Sequence, residues 1–466
     1  MNTRFILLTA ISAYLILGCK KEGFIDSPDA RLSVSADTLF FDTVFTTVGS
    51  VTQFFKIYND NSQKLRLSSV TLAGGNNSAF KMNVDGVAGS KVNNLEIEGK
   101  DSLYVFVSVS INQNATNLPF IVQDSIRIDY NGNSRWVQLQ AWGQNANFLR
   151  GMRLTGNVVW TNDLPYVILG GLQVDTSATL TIQRGTRIFM HADAPFVVDG
   201  RLIVQGIATD SGRIYFSGDR LDNPYRDFPG SWPGIYFRGR SHDSQLDFAV
   251  IKNSYQGVVV EDPSINANPK VILNQCIIDN IYDAGIIGLH TSINANNCVV
   301  SNCGKNVILA KGGTYNFNHC TVPSYTTSYQ VHKEPVLLVT NFVKVDNNYL
   351  TADLNATFTN CIFWGEGGSI DDEVVVSKQG TTIFSVSFSN SLWKVKSIPP
   401  NTTSVAMINN TDPQFDSVDV QRRFFNFHLK PTSPAINKGL PTALAVDLDG
   451  NARAVGLPDM GAYEKQ

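Results

Sequence analysis

Six short segments of this chain align with one another: Leu246-Asp-Phe-Ala249-Val-Ile-Lys-Asn253, Leu273-Asn-Gln-Cys276-Ile-Ile-Asp-Asn280, Ala295-Asn-Asn-Cys298-Val-Val-Ser-Asn302, Phe317-Asn-His-Cys320-Thr-Val, Phe358-Thr-Asn-Cys361-Ile-Phe and Phe388-Ser-Asn-Ser391-Leu-Trp. Their fourth positions are 27, 22, 22, 41 and 30 residues apart. A repeat of this length builds a solenoid, one coil per copy, because a single copy cannot bury its apolar face alone. The small or thiol residue fits inside a narrow coil, and the apolar residue two places on points the same way. The asparagines are expected to stack at turns with their amides bonded along the column. Cys276, Cys298, Cys320 and Cys361 are therefore read as core ladder members, against metal ligation by Cys298, Cys303 and Cys320, for which no Cys-x-x-Cys pair exists. A bond between Cys298 and Cys303 is possible and nothing requires it.

Glycine-punctuated strands after Gly151, such as Ala178-Thr-Leu-Thr-Ile-Gln-Arg-Gly185 and Phe196-Val-Val-Asp-Gly200, start the solenoid. The block from Gly151 to Ser397 resembles the right-handed parallel β-helix superfamily, which includes pectate lyases, polygalacturonases, alginate and chondroitin lyases, and many lipoproteins. The tail reads Ser433-Pro-Ala-Ile-Asn-Lys-Gly439, Asp447-Leu-Asp-Gly-Asn-Ala-Arg453 and Asp459-Met-Gly-Ala-Tyr-Glu464. It is similar to the ending of many exported bacterial β-helix proteins. Such a segment closes the last coil, which otherwise exposes apolar surface and strand edges. An ion pair from Arg453 to Asp459 or Glu464 would pin it; a calcium site at Asp447, Asp449 and Asn451 is the competing reading, lacking the later acidic ligand of an EF-hand.

Arg31 to Gln144 carries short alternating apolar runs separated by turns such as Asn131-Gly132-Asn133, which predict a β-sandwich of roughly seven strands. It resembles the immunoglobulin-like modules of bacterial surface proteins, without the inter-sheet disulfide, and its plain role is a spacer. The expected class is thus all-β: signal 1–18, tether 19–30, sandwich 31–148, β-helix 151–425 and cap segment 426–466.

The first residues join Arg4 to an apolar run ending Ile16-Leu17-Gly18-Cys19, too short to span a bilayer comfortably and shaped like an export signal. It resembles a bacterial lipoprotein signal. That implies removal of residues 1–18, lipidation of Cys19, and a lipid-anchored place in the cell envelope, with no aspartate after the cysteine to oppose the outer membrane. Without Cys19 the remaining five cysteines are an odd number, so at least one thiol is free within the chain.

A formal net charge of −3 and no long basic block leave no electrostatic footprint for nucleic acid. The histidines have no metal-ligand spacing and the Gly-Gly pairs no phosphate-loop context, so no cofactor or metal is expected. Enzymes of this superfamily need converging carboxylates, or a Lys or Arg base with calcium. The best acidic cluster, Glu366 to Glu373, reads as a solvated turn, or as a site in which Asp371 and Glu373 share a face near Lys378. Two insertions, 219–236 and 325–334, are the better places for binding: Tyr225, Arg226, Trp232 and Tyr236 supply the aromatic and polar groups that suit sugars. The alternative for the first insertion is a packed flap, with Trp232 and Tyr236 covering the coil. Two functions follow: an envelope protein binding glycan or another envelope protein, or a polysaccharide lyase or glycoside hydrolase working in a flank groove.

Overall fold

The computed structural model describes residues 23–45, 52–111, 120–453 and 456–466. The signal segment and Cys19 lie outside the described residues. Two compact units are present, Met1–Asn145 and Ala146–Gln466. No helix among the described residues is long and apolar enough to cross a membrane.

The first unit is a sandwich of two five-stranded sheets. Alternation drives it: in Ser102–Val109 the residues Leu103, Val105, Val107 and Val109 point inward and Tyr104, Phe106 and Ser108 outward. The facing sheet contributes Leu65, Leu67, Ile126, Ile128 and Val137 to the same core. The described strands number ten rather than about seven, because short strands such as Val87–Ala88 pair at the edges.

The second unit is a parallel β-helix of 26 strands, each pairing in parallel with its counterpart in the next coil. It begins slightly earlier than the sequence suggests, since Asn147–Leu154 already pairs in parallel with Tyr166–Val174. Three stacked columns form its walls. Column A holds Ala249–Lys252, Ile277–Asp279, Val299–Ser301, Thr321–Tyr325 and Ile362–Glu366. Column B holds Ile235–Phe237, Gln256–Glu261, Leu337–Thr340 and Val374–Ser377, and column C holds Ser244–Asp247, Val271–Asn274, Leu354–Thr359 and Phe384–Ser389. Two long strands, Ala284–Asn296 and Lys305–Asn318, run through columns B and C in succession.

The aligned repeat is the corner from column C to column A. One residue there takes a left-handed conformation in each of the six aligned copies: Phe248, Gln275, Asn297, His319, Asn360 and Asn390 all have φ between 46° and 56°. Asparagine tolerates that region better than most residues, which explains its recurrence. The next residue turns inward, giving the buried rungs Ala249, Cys276, Cys298, Cys320, Cys361 and Ser391. All five described cysteines are free and buried; each ladder thiol lies 3.2–3.5 Å from a carbonyl of the preceding coil, as from Cys276 to Leu246 and from Cys361 to Phe317. The asparagine stacks form as expected: Asn318 donates to Asn296, and Asn296 to Asn274.

The end of the chain departs from expectation. The last rungs are Thr403–Val405 and Ile408–Asn409, after which Phe415–Asp419 and Phe424–Leu429 form an antiparallel hairpin. Instead of closing only the last coil, the segment folds back along column A. Lys438 meets Asn390, Leu440 meets Asn360, Val446 meets Asn297, and Leu448 meets Arg213. The reason is apolar: the outward residues Val299, Ile362 and Leu392 need cover, and Phe427, Leu448, Met460 and Ala462 supply it.

Candidate functional site

With column A covered, two outward faces and their corner loops remain. Both insertions picked from the sequence leave the solenoid at the corner from column A to column B, and they meet. Phe228 of the first packs edge-to-face on Tyr329 of the second at 4.9 Å. The coils between them have short corners, so the insertions bridge over Asn253 and Asn280, whose amides donate to the backbone of Arg226 and Asp227.

At the column B side of this bridge, Tyr255 and Tyr282 occupy equivalent positions in successive coils. Their rings stack at 5.3 Å, and they are 48% and 52% exposed. Asp283 beside them accepts from Gln256 at 2.9 Å and faces Lys305 at 3.6 Å. Tyr236 packs on the apolar centre of column B, formed by Val259, Ala284 and Ile287, and donates its hydroxyl to Pro233. Burial raises its phenol pKa, with Tyr255, Asp283 and Glu261 adding to the shift. Tyr255 and Tyr282 carry no signal in the sequence, since single tyrosines two residues past Asn253 and Asn280 become neighbours only when coils stack.

The remaining expected binding residues are scattered. Tyr225 is exposed, with the Arg220 guanidinium 4.1 Å above its ring, and Arg226 lies 3.7 Å from Asp227. Trp232 is only 1% exposed and its indole donates to the Lys252 carbonyl, so it is the packed flap of the alternative reading. Asp371 is exposed beside Lys396, Asp372 accepts from the Lys396 backbone, and Lys378 sits over the Phe384 ring. Glu373 is buried and binds His332 Nε2 at 2.9 Å. Asp371 and Glu373 therefore do not share a surface, and the side chains of Trp232 and Glu373 are both buried, turned inward by their coils.

A cleft of about 150 Å³ lies between column A and the hairpin, lined by Asp227, Lys252, Asp279, Arg422 and Arg423. Its carboxylates are partnered: Asp279 with Lys252, Ser301 and Asn302, and Asp227 with Arg423. The Asp447 carboxylate is buried and accepts from the backbone of Asp449, Asn451 and Glu464, while Asp449 accepts from His428. These oxygens organise the turn with N–H donors. Arg453 makes the expected pair with Glu464, at 3.0 Å.

These observations define a parallel β-helix protein with an N-terminal sandwich. No family profile and no curated protein matches the chain. Among solved structures, similarity is found to a family 123 glycoside hydrolase from Clostridium perfringens, at 12% identity and a TM-score of 0.20, over 28% of this chain and 30% of that one. A PapD-like domain of human CEP192 matches at 11% identity and 0.17, over 27% and 92%, and the periplasmic chaperone SfaE at 7% and 0.17, over 25% and 58%. The chain thus spans under a third of that hydrolase's length, and at these scores none of the likenesses bears on function.

Proposed function

We propose that the chain is a lipid-anchored protein of the bacterial cell envelope, held through Cys19 at the outer membrane, whose β-helix binds glycan. The sandwich is the spacer. The observation that carries this reading is the stacked pair Tyr255 and Tyr282 beside Tyr236, Asp283 and Lys305 under two bridging insertions. Exposed rings pack on the apolar faces of sugars, and the adjacent carboxylate, amide and ammonium meet their hydroxyls. The outward centre of column B, on which Tyr236 packs, is apolar.

The test is retention of the chain from Lys20 onward on a glycan array, with unsaturated-product absorbance followed in parallel. Retention without product, lost in the Tyr255→Ala/Tyr282→Ala variant, is the expected result. Retention unaffected by those changes overturns the assignment, and no retention points to a protein partner of the envelope. A lyase or hydrolase is the second reading, favoured by Asp227, Asp279 and Lys252 opening to one cleft. Product formation abolished by Asp279→Asn would establish it.

A further inference from the structure

The corners joining column B to column C vary in length, and that variation makes a cleft on a different face from the tyrosine pair. Before Val271–Asn274 the corner is the loop 262–270; before Leu354–Thr359 it is the segment 341–353, with the hairpin Phe342–Val345 and Asn348–Thr351. The two coils between them turn without leaving the sheet. One does so through His290 at φ 51°, the other through Lys311, Gly312 and Gly313 at φ 60°, 81° and 122°. Gly313 is required there, because a Cβ would lie 2.3 Å from the Thr291 carbonyl oxygen. Two short corners between two long ones leave a cleft of about 480 Å³, floored by Ser292, Asn294, Thr314 and Asn316 and walled by Pro263 to Pro269 and Asp353.

The wall is fixed in place. Asn266 and Asn268 both donate to the Asp243 carboxylate, at 2.9 and 2.8 Å, and buried Lys270 donates to the carbonyls of Gly239 and Glu261. The floor has unmet polarity. Thr357 donates to Asn316, and Asn316 to Asn294 at 3.1 Å; the next rung, in register with Asn294, is Ile272, which offers no side-chain acceptor. The amide ladder therefore stops inside the cleft. Thr291 is only 3% exposed, and its Oγ1 and the buried Nδ1 of His290 have no hydrogen-bond partner among the described residues. Both atoms are enclosed, so the polarity that a ligand in the cleft would meet is that of the floor: the free end of the ladder at Asn294 and the hydroxyls of Ser292 and Thr314.

The lining contains no lysine or arginine and no phenylalanine, tyrosine or tryptophan; Asp353 is its one carboxylate. An anionic ligand finds no counter-charge here. We infer that this cleft is a second binding site, separate from the tyrosine pair, for a neutral polyhydroxylated ligand of one or two rings, such as a mono- or disaccharide unit. Its volume lies within the range of small-molecule sites.

Saturation-transfer NMR and calorimetry on Lys20–Gln466 test this with glucose, galactose, mannose, N-acetylglucosamine, maltose and cellobiose, and with glucuronate for comparison. At least one neutral sugar should bind saturably, weakened roughly tenfold by Asn294→Ala. Thr314→Trp, at an exposed floor position, should block binding without touching the core. The Tyr255→Ala/Tyr282→Ala variant should leave it unchanged, which separates this site from the proposed glycan surface. No binding by any of the neutral sugars, binding indifferent to the cleft variants, or a preference for glucuronate would overturn the inference.

Discussion

Asn360 donates from Nδ2 to Nε2 of His319 at 2.7 Å, while His319 Nδ1 lies 3.1 Å from the Asp459 carbonyl. An acceptor at one ring nitrogen and a donor at the other describe a neutral imidazole with its proton on Nδ1. Burial, with Arg453 nearby, agrees, pushing the pKa of His319 down to about 3. This one ring joins the corner ladder to the folded-back C-terminal segment.

Its protonation makes the fold acid-sensitive. In the unfolded chain a histidine titrates near 6.5, so between about 6.5 and about 3 the unfolded state binds a proton that the folded state refuses. The stability from neutral His319 is complete above that window and is lost as pH falls through it, at up to about 1.4 kcal/mol per pH unit. His319→Asn places in this corner the residue found at 297 and 360. Urea unfolding across the window should show a shallower loss for the variant than for the parent, and equal slopes would exclude the mechanism.

Arg453 is the second anchor of that segment. Its guanidinium is buried, bonds Glu464, Asn297 and the carbonyls of Gly461 and Ala462, and has its pKa lowered by desolvation. Arg453→Met leaves Glu464 buried without its cation, which costs about 3–5 kcal/mol. Limited proteolysis should cut first between Lys430 and Gln466 in the variant. Cleavage spread evenly over the β-helix would mean that the segment does not unfold separately.

The stacking of coils was legible because the corner dictates its own sequence: a left-handed residue, then an inward small side chain, then an alternating strand. The path of the tail was not. The apolar outward positions Val299, Ile362 and Leu392 look in sequence like ordinary strand residues, and only the three-dimensional column shows that they need a cover. The candidate site was half legible for a related reason. Insertion length marks where loops leave the coil, but the facing of Trp232 and Glu373 depends on the bend of each loop. Tyr255 and Tyr282 are 27 residues apart and meet only through coil stacking.

The thiol ladder should be chemically silent. Burial raises the pKa of Cys276, Cys298 and Cys320 well above that of a free thiol, so thiolate is scarce and access closed. Cys276, Cys298, Cys303, Cys320 and Cys361 should react with a thiol reagent only at the rate of unfolding. Cys298→Ala, matching Ala249 in an earlier rung, should cost about 1 kcal/mol, and Cys298→Leu about 1–3 kcal/mol by overpacking. Rapid labelling of the native chain at any of the five would contradict this packing.

Glu373 and Asp371, two residues apart, should behave oppositely on substitution. His332 bonds both oxygens of Glu373, at 2.9 and 3.1 Å, and Gly365 lies against the pair so closely that a Cβ would come within 2.1 Å of Glu373 Oε1. Glu373→Ala leaves a buried imidazole N–H without its acceptor and should cost about 1–3 kcal/mol, and Gly365→Ala should be destabilising too, since a Cβ there meets both buried partners. Asp371 touches only exposed Lys396, and Asp371→Ala should stay within about 0.5 kcal/mol. Glycan retention of the folded fraction should be unchanged in all three. A specific loss of retention in Glu373→Ala, at unaltered stability, would instead return this carboxylate to the binding surface and require the 326–336 loop to open.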